Sequence, residues 1–76
     1  MTRKRIEQIR KELKALGFKM TYTGAEERVE IEVGFTTDLD IEGRKRVLYL
    51  YLNNLGVEYD ITVYHNGYMR YGFWTA

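Results

Sequence analysis

Val57-Glu58-Tyr59-Asp60-Ile61-Thr62-Val63-Tyr64-His65-Asn66-Gly67-Tyr68-Met69-Arg70-Tyr71-Gly72-Phe73-Trp74 is the stretch on which the fold turns. Two alternating runs flank an Asn-Gly pair, the pattern of a β-hairpin. A two-residue type I′ turn at Asn66-Gly67 would set His65 opposite Tyr68. It would also bring Arg70 onto the face of Val57, Tyr59, Ile61 and Val63, burying a charge. A three-residue loop, His65-Asn66-Gly67 with Gly67 left-handed in a G1 bulge, sets Tyr64 opposite Tyr68 instead. Val63 then meets Met69, Ile61 meets Tyr71 and Tyr59 meets Phe73. A slip of one residue turns every side chain over, so the apolar rows select the three-residue loop.

Upstream of this hairpin, Ile41, Leu48, Leu52 and Leu55 form the main stripe of a helix flanked by Val47 and Tyr51, with Gly56 as its stop. Thr36, Thr37 and Asp38 offer N-caps, but Gly43 disfavours the first turns by about 1 kcal/mol relative to Ala, so the helix is expected to begin after Asp38. Further back, Phe18, Met20 and Tyr22 alternate with Lys19, Thr21 and Thr23. After Gly24-Ala25-Glu26-Glu27, Val29, Ile31, Val33 and Phe35 alternate with Arg28, Glu30, Glu32 and Gly34. Pairing Tyr22 with Val29 aligns both apolar rows and gives a hairpin with one wet side. Residues 2–16 read as an amphipathic helix on Ile6, Ile9, Leu13 and Leu16, opened by Thr2 as N-cap and closed by Gly17.

The order is therefore αββαββ in one domain spanning residues 1–76, and it repeats. Ala15-Leu16-Gly17-Phe18-Lys19-Met20 and Asn54-Leu55-Gly56-Val57-Glu58-Tyr59 are the same helix-stop-strand device. Two such units bury their apolar faces as two helices on one side of a four-stranded antiparallel sheet, an α+β fold. A right-handed crossover from the second strand leaves a gap for the fourth, giving order 1-2-4-3, with 2-1-4-3 as the alternative. The expected core is Ile6, Ile9, Leu13, Val29, Ile31, Val33, Leu48, Leu52, Ile61, Val63, Met69 and Phe73.

Composition narrows the chemistry. The chain has 76 residues, no Cys, no Pro and one histidine, His65; it also lacks serine. Disulfides, thiolate zinc sites and Ser- or Cys-based triads are excluded, and no phosphate-cradling glycine string is present. No catalytic residue, cofactor or metal ligand is assigned. At 45% hydrophobic the sequence suits a globular fold, and its longest apolar stretch, Val47 to Leu52, is too short to span a bilayer. Thr2 to Lys19 is charged and amphipathic and does not read as a signal peptide. Charge is uneven: Arg3, Lys4, Arg5, Arg10, Lys11, Lys14 and Lys19 oppose only Glu7 and Glu12 in residues 1–19, while acids outnumber bases in the rest. That basic helix is a candidate surface for phosphate or an acidic partner, although a solvated face with a Glu7–Lys11 pair accounts for it.

Two short strings resemble known motifs. Asp38-Leu39-Asp40-Ile41-Glu42-Gly43 resembles the opening half of an EF-hand calcium loop, but Tyr49 stands where the bidentate Glu belongs and Arg44-Lys45-Arg46 would repel a cation. Tyr71-Gly72-Phe73 resembles the core of the RNP1 motif of RNA-recognition domains, yet the selected register turns Tyr71 and Phe73 toward the helices. A single-strand RNA binder would show steeply salt-dependent affinity. The outward residues of the central strands are Arg28, Glu30, Glu32, Gly34, Tyr68, Arg70, Gly72 and Trp74. Among them and their neighbours, Tyr64, Tyr68, Arg70 and Trp74 form the candidate partner-binding set. Cross-strand cover, with Trp74 shielding backbone at Gly34 or Gly72, is their structural role. Leu50, opposite Leu48 and Leu52 on the helical wheel, is expected to be exposed and to offer weak self-association.

Duplicated Leu-Gly stops, binary patterning in every element, short loops and the absence of Cys and Pro make the whole chain resemble computationally designed ferredoxin-like α/β mini-proteins. That resemblance implies a monomeric folding scaffold with no evolved activity. A small phage-type inhibitor, binding protein through the outer sheet face or the basic helix, is the natural alternative.

Overall fold

The computed structural model describes residues 1–76. Helix α1 (Arg3–Ala15) is followed by β1 (Lys19–Thr23), β2 (Arg28–Phe35), α2 (Ile41–Leu55), β3 (Asp60–Val63) and β4 (Tyr68–Trp74). The strands form one antiparallel sheet in the order β1-β2-β4-β3. Both helices lie on the same side, α1 over β1 and α2 over β2. No helix is long and apolar enough to cross a membrane.

Local chemistry sets each boundary. The Thr2 side chain accepts the Arg5 amide at 3.1 Å and caps α1, and Gly17 follows the helix with φ +93°. In α2 the cap departs from expectation. The helix starts at Ile41 with Asp40 as N-cap, and no side chain caps it. Asp38 instead turns back and accepts the Phe35 amide at 2.8 Å, closing the loop that leaves β2. Within α1, Glu7 pairs with Arg10 at 3.2 Å rather than with Lys11.

The last hairpin adopts the three-residue loop. Gly67 is left-handed at φ +85°, the Tyr64 amide bonds the Tyr68 carbonyl at 2.9 Å, and Val63 faces Met69 as Ile61 faces Tyr71. Arg70 thus lies outside, while Tyr71 and Phe73 are buried under the helices. The first hairpin pairs Tyr22 with Val29 as the apolar rows require.

Two expectations for the apolar row fail. Phe35 was placed on the helix side, but a bulge between Glu32 and Gly34 shifts the register. Phe35 therefore lies opposite Tyr68 on the outer face, with their rings edge-on at 4.9 Å. Gly34 makes that bulge at φ +139°, and the Asp38 carboxylate occupies the space a side chain would need. Ile61 and Val63 were assigned to the core, yet they are 50% and 54% exposed. They do point to the helix side, but the helix pair sits over the other half of the sheet and leaves β3 bare.

The core is continuous over α1, α2, β1, β2 and β4: Ile6, Ile9, Leu13, Phe18, Met20, Val29, Ile31, Val33, Ile41, Leu48, Leu52, Met69, Tyr71 and Phe73. Between the helices the Tyr51 hydroxyl donates to Glu12 at 2.5 Å, and Arg5 stands 3.8 Å from the same carboxylate. Burial first, and then the bond to Glu12, raises the Tyr51 pKa. Leu50 is exposed, as its place on the helical wheel requires.

Candidate functional site

The helix-free face of the sheet gathers the polar chemistry of the molecule. Arg28 opens β2 on that face, yet it is only 9% exposed. Its Nη1 and Nη2 donate to Asp60 of β3 at 3.0 and 2.5 Å, and its Nε donates to Glu30 at 3.1 Å. The Trp74 ring covers the guanidinium from β4, 4.4 Å away. Gly72 makes this possible: a Cβ there would collide with the Arg28 guanidinium and with Glu30. The Asp60 hydrogen bonds outweigh the desolvation of Arg28 and hold its pKa above the ordinary arginine value.

Trp74 therefore does not cover Gly34; its ring lies on the Arg28 guanidinium, which in turn lies against Gly72. It roofs a buried cation that sequence reasoning had placed on an open surface.

The other candidate residues gather at the far end of β4. Tyr68 donates from its hydroxyl to Glu32 at 2.7 Å, and burial followed by that bond raises its pKa. Arg70 rests over the ring of the exposed Tyr64 at 5.6 Å, and its Nε is buried without a hydrogen-bond partner. Tyr64, His65, Asn66, Tyr68 and Arg70 line one open depression. Trp74 lies at the opposite end of its strand beside Gly56 and Val57, roughly 20 Å from Tyr68 at the usual rise per strand residue. The set Tyr64, Tyr68, Arg70 and Trp74 is thus two sites, not one.

The residues that resembled a calcium loop work locally. Asp38 holds the Phe35 amide, Asp40 ends the turn before α2, and Glu42 bonds Lys45 at 3.4 Å. No group of three His, Asp or Glu side chains is placed to hold a metal ion. His65 is exposed in its turn. Of the basic helix, Arg10 reaches back over β1 and donates to the Met20 carbonyl at 3.0 Å.

Comparison of the chain with protein-family models, with curated proteins and with solved structures finds no match.

Proposed function

We propose that this chain is a folding scaffold of designed character with no evolved catalytic activity. The observation that carries this reading is the closed charge network on the open face. Arg28 is answered by Asp60 and Glu30 and roofed by Trp74, and Tyr68 is bonded to Glu32. A face whose charges are satisfied from within offers few groups to an incoming ligand. Pull-down from bacterial lysate with the wild type and with Trp74→Ala tests it. The expected result is that the two recover the same background. A specific partner held by the wild type and lost on Trp74→Ala overturns the reading.

A second reading, a small protein-binding module, is favoured by the hairpin end of the sheet. There the exposed Tyr64, with the Arg70 guanidinium over its ring, is the kind of anchor that interfaces use. A partner lost on Arg70→Ala but kept on Trp74→Ala would select it.

A further inference from the structure

We propose that the free edge of β3 is a pairing site for a second copy of this chain, with two β3 strands running antiparallel about a two-fold axis at Thr62. In an antiparallel ladder, alternate residues of an edge strand point their backbone N–H and C=O groups away from the sheet. The Tyr64 amide bonds the Tyr68 carbonyl and Thr62 pairs with Arg70, so the inward-bonded residues are Tyr64, Thr62 and Asp60. Ile61 and Val63 therefore present their N–H and C=O groups to the free edge. The same two residues carry the apolar side chains that no helix covers.

This edge is complementary to itself. A two-fold axis at Thr62 sets Ile61 of one copy opposite Val63 of the other, which matches backbone donors to acceptors and apolar side chains to apolar side chains on one face. On the outer face Thr62 meets Thr62, and Asp60 comes opposite Tyr64. No like charges are opposed. The Arg70 guanidinium rests on Tyr64, and its Nε lacks a partner. Asp60 of each copy stays bonded to Arg28 of its own sheet, so its charge is already answered when it comes opposite Tyr64 of the second copy. On the helix side, Tyr51 turns toward α1, and Tyr49, nearly opposite it on the helical wheel, is exposed.

This edge is lightly guarded. Edge strands that remain solitary are very short, carry Pro, Lys or other charges, or lie under a helix or loop. Residues Asp60–Val63 are a short strand of 4 residues, but their one charge, Asp60, is held by Arg28, and they carry no Pro or Lys. Self-association then runs through β3 and not through Leu50 alone.

Sedimentation velocity of the full chain over a concentration series tests the pairing. The wild type is expected to shift from monomer to dimer, and Val63→Lys to remain monomeric with its folded circular dichroism intact. The register has its own test, because the chain holds no cysteine. Thr62 faces its own copy as a non-hydrogen-bonded pair, with Cα atoms about 4.5 Å apart, within disulfide reach. Thr62→Cys should cross-link under mild oxidation at least about tenfold faster than Thr21→Cys on the β1 edge, since pairing raises the effective thiol concentration. Three results would each overturn the proposal: a monomer up to millimolar concentration, equal cross-linking of the two cysteines, or a dimer abolished by Leu50→Lys and kept by Val63→Lys.

Discussion

The two edges of the sheet occupy equivalent places and have opposite fates. The repeat that takes Gly17 to Gly56 also takes β1 to β3, and the contact between Glu12 and Tyr51, 39 residues apart, joins equivalent positions of the two helices. On the β1 edge, Met20 is 5% exposed beneath α1, and Arg10 closes the Met20 carbonyl. Shifted by one repeat, Arg10 becomes Tyr49, which makes no such bond; Met20 becomes Tyr59, only partly buried, and the partly buried Tyr22 becomes Ile61, which stands half in water. A repeated sequence device does not impose repeated cover. What protects an edge is one long cationic side chain and the helix that carries it.

Truncations measure that contrast directly, in denaturant titrations at dilutions that keep the chain monomeric. Phe73→Ala, in the covered centre of the sheet, is expected to lose about 3–5 kcal/mol, enough to unfold a small domain. Met20→Ala on the covered edge should lose about 2–4 kcal/mol, and Ile61→Ala on the bare edge less than about 1. Equal losses at Met20 and Ile61 would erase the distinction between the edges. Arg10→Ala sharpens it: uncapping the Met20 carbonyl should lose about 1 kcal/mol, while Tyr49→Ala at the equivalent place should lose less.

The smallest effect is set by pH. Burial raises the pKa of Tyr71 in the core and of Tyr51 between the helices, where Glu12 adds to it. Both stay protonated in the fold beyond the point, near pH 10, at which an unfolded tyrosine ionises. Their contribution to stability is whole below that pH and is lost as pH rises through the raised values. The melting temperature should therefore fall from about pH 10 upward, and Tyr51→Phe should flatten the fall. An unchanged slope in that variant would remove the interhelical tyrosine from the account.

Most of the framework was legible because alternation and glycine placement leave few solutions. The charge on Arg70 chose the loop at Gly67, and that loop chose the faces of Tyr71 and Phe73. Strand order followed from handedness and from the gap that β4 fills. Alternation, however, states which side a residue faces, not whether anything lies over it, and Ile61 and Val63 were misassigned for that reason. Phe35 was misassigned because Gly34 can serve as an ordinary strand residue or as a bulge, and only the Asp38 carboxylate packed against it decides. The candidate site was half legible. Tyr64, Tyr68, Arg70 and Trp74 were all placed on the outer face. Their division into two ends, and the burial of Arg28, depend on Gly72 making room for a guanidinium.

The roof over Arg28 also has a use in following how the chain folds. Arg28, Asp60 and Trp74 come from three different strands, far apart in sequence, so their meeting closes long loops across the whole sheet. Trp74 is the one indole present, so its fluorescence is a built-in clock for the moment the sheet zips shut.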